Sequence, residues 1–184
     1  MAVIKFITKN PEDSIYTEKY KDDKAIATVS EYIFKPYKAQ ECIGGWAVNP
    51  HNALYEMELL SALYHQREGV RLRHWMISFT EYEAERLASV GRCSQMKAIY
   101  DLSRLLSFYY ANRHQIVFAV HNDSNMMNAH FVMNNVSYVD GRKYTGTYKE
   151  YHDYINYCRT QMEQFGITLL EKKDRAAEKR RYFS

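Results

Sequence analysis

The chain has 184 residues, 46% of them hydrophobic and 26% charged, with a formal net charge of +3 at pH 7. That is ordinary for a soluble globular protein and enough for one domain to bury a core without disulfide staples. Cys42, Cys93 and Cys158 are odd in number, widely spaced and without a CxxC pair, and no long apolar run follows Lys5 and Lys9. The expectation is therefore reduced thiols in a cytoplasmic protein, with no signal peptide and no membrane span.

Residues 2–8 read as an opening strand, with Val3 and Lys5 on one face and Ile4 and Phe6 on the other. Asn10-Pro11 ends it. Residues 22–34 read as an amphipathic helix in which Ile26, Val29 and Ile33 recur at helical spacing, with Tyr32 at the margin of the stripe and Pro36 as its stop. Residues 35–52, with Gly44-Gly45 and Asn49-Pro50, read as loop. Trp46 within them either stacks on a base or covers the core. Residues 53–65 return to helix, with Leu54, Met57, Leu60 and Tyr64 on one side.

In the strand predicted over 69–80, Leu72, His74, Met76 and Ser78 alternate against Arg71, Arg73, Trp75, Ile77 and Phe79. A short helix over 82–89 and a longer one over 94–111 follow, the second turning Met96, Ile99, Leu102, Leu106 and Tyr110 inward. Residues 147–165 read as a helix with Tyr151, Tyr154, Ile155, Cys158 and Met162 as its core face, and 167–170 as a last strand. The tail after residue 171 holds Lys172, Lys173, Arg175, Lys179, Arg180 and Arg181 against Asp174 and Glu178. This order of elements predicts an α+β fold, a two-layer sandwich with a central, mostly antiparallel sheet and flanking helices.

Between the long helix and the last one, two apolar runs, 116–120 and 131–136, flank a polar turn. Both are short and rich in β-branched and aromatic residues, as paired strands are. Alternation puts Ile116, Phe118 and Val120 on one face, and Val117, Ala119 and His121 on the other. In the second strand Asn128, His130, Val132 and Asn134 oppose Ala129, Phe131 and Met133. If the strands pair antiparallel, His121 meets Asn128 and His130 in one small volume. Ordinary strand-end histidines and a turn amide would satisfy the same spacing.

His121-x-Asp123, Asn128-x-His130, Asn134 and Asp140-Gly141 together resemble the metal-binding segment of plasmid mobilisation relaxases, within the HUH endonuclease superfamily. That segment runs His-x-Asp, a spacer, His-x-His among hydrophobic residues, then Asn and a Gly-containing turn. Asn128 stands here where the first His of the His-x-His pair would be. Residues 27–38, ATVSEYIFKPYK, resemble the motif in which Tyr-Ile is followed by a basic residue, Pro and Lys. It makes Tyr32 the nucleophile, with Tyr37 as the runner-up among 17 tyrosines. Residues 73–79, RHWMISF, resemble a third block, a His before a hydrophobic strand ending in Ser-Phe. The blocks stand in family order across most of residues 25–144.

The resemblance implies a relaxase domain over 1–171 followed by a basic tail, 172–184. It implies metal-dependent, site- and strand-specific nicking of origin-of-transfer DNA, single-stranded or hairpin, through a 5′-phosphotyrosyl link to Tyr32. Mn²⁺ or Mg²⁺ would be held by His121, Asn128 and His130, the amide making a softer ion such as Zn²⁺ a poorer match. Asp123 would fix a histidine tautomer, and Asn134 would position a backbone or DNA group. Ser78, His74, Lys35, Lys38, Arg73 and Arg142 would lie against the DNA. Auxiliary relaxosome proteins and a coupling protein in the bacterial cytoplasm would be the partners. Two other readings share these residues: a rolling-circle replication initiator or single-strand transposase, and a catalytically silent DNA-binding protein that lost its site at Asn128.

Overall fold

A computed structural model describes residues 1–7, 42–122 and 126–171. The described residues form one six-stranded sheet and four α-helices. The strands are β1 (Ala2–Phe6), β2 (Ile43–Trp46), β3 (Leu72–Phe79), β4 (His114–His121), β5 (Met127–Ser137) and β6 (Leu169–Glu171). The helices are α1 (Ala53–Leu63), α2 (Glu81–Gly91), α3 (Gln95–Ala111) and α4 (Tyr148–Glu163). The sheet order is β2-β4-β5-β3-β1-β6. Only β1 and β6 pair in parallel, so the mostly antiparallel α+β sheet expected from the sequence is what forms. The helix read over 22–34 and the tail 172–184 lie outside the described residues.

Hydrophobic alternation explains which face each strand turns where. Ile4, Trp75, Ile77, Phe79, Ile116, Phe118, Val120, Ala129, Phe131 and Met133 bury against α2, α3 and α4. Those helices contribute Leu87, Ile99, Leu102, Leu106, Tyr154, Cys158 and Met162, spaced three and four apart along each apolar stripe. On the opposite face, Leu72, Val117, Ala119 and Val132 form a smaller cluster beneath Ala53 and Met57 of α1. Thr147 and Glu150 start α4 reciprocally: the Thr147 amide donates to Glu150 Oε2 at 2.9 Å and the Glu150 amide to Thr147 Oγ1 at 3.3 Å.

Register across the three central strands is pinned by aromatic rings. Phe131 is the pairing partner of Trp75 on one side and of Phe118 on the other. Trp75 stacks on Phe131 with ring centroids 5.4 Å apart at 5°, and Phe118 lies 6.2 Å from Phe131. Burying each ring contributes roughly 2–3 kcal/mol. A one-residue slip of β5 would turn His130 into this core and Phe131 out of it, so the aromatic ladder also dictates where the histidine faces.

One sequence expectation fails here. Residues 43–46 are not loop: they form edge strand β2, pairing Ile43 to Ala119 and Trp46 to Ile116. The double glycine hid the strand because its role is close packing rather than turning. A Cβ on Gly44 would stand 2.4 Å from Phe118 Cζ, so the Phe118 ring lies where a side chain would be. Trp46 covers the core, its Nε1 donating to Ser107 Oγ at 3.0 Å and the Arg104 guanidinium lying 4.9 Å from its ring.

Candidate active site

Pairing brings β3, β4 and β5 side by side, and residues directly opposite one another share a face. His121 pairs with Asn128, Ala119 and Met76 with His130, and Ser78 with Asn128. His121, Asn128, His130, His74 and Ser78 therefore stand together on the face opposite the aromatic ladder, at one end of the strands. The His121 and His130 rings are 4.7 Å apart between centroids, and the His74 and His130 rings 5.5 Å. All three imidazoles are buried, with exposures of 1% for His121, 2% for His130 and 5% for His74.

His74 Nε2 and His130 Nδ1 are 3.2 Å apart, within hydrogen-bonding distance. Ser78 Oγ donates to Asn128 Oδ1 at 2.6 Å, and Asn128 Nδ2 donates to the Met126 carbonyl at 3.2 Å. His121 and His74 occupy strands on either side of β5, roughly 10 Å apart in the hydrogen-bonding direction. The three rings thus run in a row rather than around a common point. Consistently, no group of three His, Cys, Asp and Glu side chains among the described residues is arranged to hold a metal ion. The donors that do adjoin are two imidazoles and one amide oxygen.

Asn134 shares this face but lies beyond Val132, under α1. It is completely buried, and its carboxamide is spent inside the fold. Nδ2 donates to the Met57 carbonyl and to Gln115 Oε1, both at 3.0 Å, and Oδ1 accepts from the Val136 amide at 3.0 Å. Gln115 Nε2 in turn donates to the Ala47 carbonyl at 3.2 Å. This lock joins α1, β4, β5 and the turn after β2. The sequence offered no sign of Gln115, which reads as one more polar residue at a strand start.

Two cations expected at DNA stand away from the imidazoles. Arg73 projects to the other face of β3, where Nε donates to Asn135 Oδ1 at 3.1 Å and the guanidinium lies 5.7 Å from the Tyr144 ring. Arg142 is exposed in the turn after Ser137, at the opposite end of β5 from Asn128. Gly141 in that turn has φ +70°, and Tyr64 packs where its Cβ would be. Tyr32, Tyr37, Lys35, Lys38 and Asp123 lie outside the described residues.

A family model for the relaxase nuclease domain, MobA/VirD2-like, matches residues 32–167. The chain belongs to that family. No curated protein and no solved structure matches it. Family membership makes DNA nicking in mobilisation the relaxase's class of activity, origin-of-transfer DNA its class of substrate, and a divalent metal its implied cofactor. The adjoining side chains, two imidazoles and an amide, carry nitrogen and oxygen donors of the kinds that divalent ions accept. No helix among the described residues is long and apolar enough to cross a membrane.

Proposed function

We propose that this relaxase nicks one strand of origin-of-transfer DNA, single-stranded or hairpin, through Tyr32 and in a metal-dependent manner. The observation that carries the reading is the convergence of His121, His130 and Asn128 on β4 and β5, inside a relaxase match that opens at residue 32. The Tyr32 phenol gives up its proton and its oxygen attacks the scissile phosphorus in line. The bond from phosphorus to the 3′ oxygen breaks, and that oxygen takes up a proton. The products are a 5′-phosphotyrosyl link and a free 3′-hydroxyl, which conserve the phosphodiester for later rejoining.

His121, His130 and Asn128 would hold the ion, Mn²⁺ or Mg²⁺, which when bound would supply Lewis-acid stabilisation of the charge developing on the scissile phosphate. Asp123, two residues after His121, holds that ring's tautomer. Lys35, Lys38 and the basic tail grip phosphates along the strand. Auxiliary relaxosome proteins and a coupling protein complete the assembly in the bacterial cytoplasm.

The test is cleavage of single-stranded oligonucleotides tiled across the element's transfer origin, with Mn²⁺, with Mg²⁺ and with EDTA. Site-specific nicking with either ion and none in EDTA is expected. Tight binding without nicking, unchanged by Asn128→His, would instead leave a silent DNA-binding protein.

A further inference from the structure

We infer that the face of β3 opposite the aromatic ladder orients the donors on β5: Ser78 and His74 are positioning residues that act through Asn128 and His130 rather than by touching DNA. The inference rests on the metal-dependent reading above and deepens it. The two residues stand four apart on β3, on the same face, and each reaches a different donor of the neighbouring strand. Ser78 is the direct cross-strand partner of Asn128, and its hydroxyl proton points at Oδ1. His74 pairs with Val132, one step diagonal from His130, and meets that ring at Nδ1.

The chemistry of each contact follows from the donor it serves. An asparagine amide can present either its oxygen or its NH₂, and only the oxygen is a metal ligand. With Ser78 donating to Oδ1 and Nδ2 donating to the Met126 carbonyl, the flip is decided at both ends. A carbonyl oxygen carries two lone pairs, so accepting from Ser78 is compatible with ligating an ion. A histidine at position 128 would have no amide oxygen for a hydroxyl to donate to, so this hydrogen bond has a task in this chain because the residue is asparagine.

For His130 the issue is the tautomer. Nδ1 is engaged with His74, so an ion held by His130 would be met by Nε2. That requires the His130 proton on Nδ1, donated to His74 Nε2, and hence the His74 proton on its own Nδ1. His74 selects that form by presenting an acceptor at 3.2 Å. Its near-complete burial suits a role exerted through a neighbouring ring.

The test uses the full chain and two independent readouts. In metal-free protein, long-range ¹H–¹⁵N NMR reports the His130 ring nitrogens, and side-chain amide signals report Asn128. Wild type should show His130 protonated on Nδ1. His74→Phe should lose that preference, His74→Gln, which returns an acceptor oxygen, should restore it, and Ser78→Ala should shift the Asn128 amide. Mn²⁺ affinity by titration calorimetry should fall about tenfold in His74→Phe and in Ser78→Ala. Ser78→Thr and His74→Gln should stay near wild type, and Ser78→Ala should have no further effect in an Asn128→Ala background. Oligonucleotide affinity in EDTA should be unchanged in all four single variants.

Unchanged ring and amide signals in His74→Phe and Ser78→Ala would overturn the inference. So would a loss of oligonucleotide affinity in Ser78→Ala with Mn²⁺ affinity intact, which is the signature of a DNA contact. If wild type binds no Mn²⁺, the metal-dependent reading falls, and the metal-free NMR still decides whether β3 orients these side chains. Should His74→Phe fail to fold, Ser78→Ala, which removes one oxygen atom, carries the test.

Discussion

Replacing Asn134 by leucine separates a residue that holds the fold from one that touches DNA. The two side chains have nearly the same shape, so the substitution removes polarity without opening a cavity. Three hydrogen bonds disappear, and they are unequal. The Met57 carbonyl retains a hydroxyl donor, because Ser61 Oγ lies 2.9 Å from it. Gln115 loses the partner of its oxygen but keeps the Ala47 carbonyl for its nitrogen. The Val136 amide loses its bond to Oδ1 in a residue that is 1% exposed, and it is the costliest of the three. An unsatisfied buried donor costs about 1–3 kcal/mol and the weakened Gln115 contact about 1 kcal/mol, so the expected loss is roughly 2–4 kcal/mol. For a chain of this size the melting temperature should drop by roughly 5 to 15 °C. Urea denaturation at a constant m-value gives the energy, and amide exchange in α1 locates it. Asn134 stands four residues along β5 from His130, about 13 Å, so Mn²⁺ and oligonucleotide affinity should survive in the folded variant. A stability change below about 1 kcal/mol together with weakened DNA binding would refute this assignment and return Asn134 to the DNA.

Gly141→Ala should cost about 2 kcal/mol, because φ is +70° there and the new Cβ would stand 2.2 Å from Tyr64 Cδ1; unchanged urea unfolding would refute it. Burial lowers the pKa of His114, whose Nδ1–H donates to the Asn134 carbonyl at 3.0 Å. As pH falls the unfolded chain takes up the second ring proton first, so the contribution is complete above about 6.5 and is lost as pH falls through the folded value. Wild type should therefore lose more stability than His114→Gln between pH 7.5 and pH 5, and equal slopes would contradict this. Asn128→His should tighten Mn²⁺ about tenfold and raise the preference for Zn²⁺, read by calorimetry, since an imidazole replaces a neutral amide. A weaker Mn²⁺ site in that variant would mean position 128 is not a ligand.

What could be read from the chain follows from what local pattern encodes. Alternation in β3, β4 and β5 was legible because each strand sets an aromatic residue, Trp75, Phe118 or Phe131, on one face and a histidine, His74, His121 or His130, on the other, so His121, Asn128 and His130 could be placed together from the sequence alone. Strand order was not legible. That β3 lies directly against β5 is a long-range fact, and it converts Ser78 and His74 from a separate motif into neighbours of Asn128 and His130. It also sends Arg73 to the far face. β2 was hidden because glycine carries no side-chain period, and its reason for being glycine sits on another strand, in Phe118. Asn134 was singled out for its place in a motif, yet the partners that occupy it, Met57 and Gln115, are 77 and 19 residues away in sequence.

The most direct measurement of the central claim is the site of covalent attachment. The chain would be incubated with its single-stranded transfer origin and Mn²⁺, digested, and the DNA-linked peptide sequenced by mass spectrometry. A 5′-phosphate ester on Tyr32, abolished by Tyr32→Phe and by EDTA, is the expected result. Attachment to Tyr37 or to any other residue, or nicking that leaves no protein–DNA link, would contradict it.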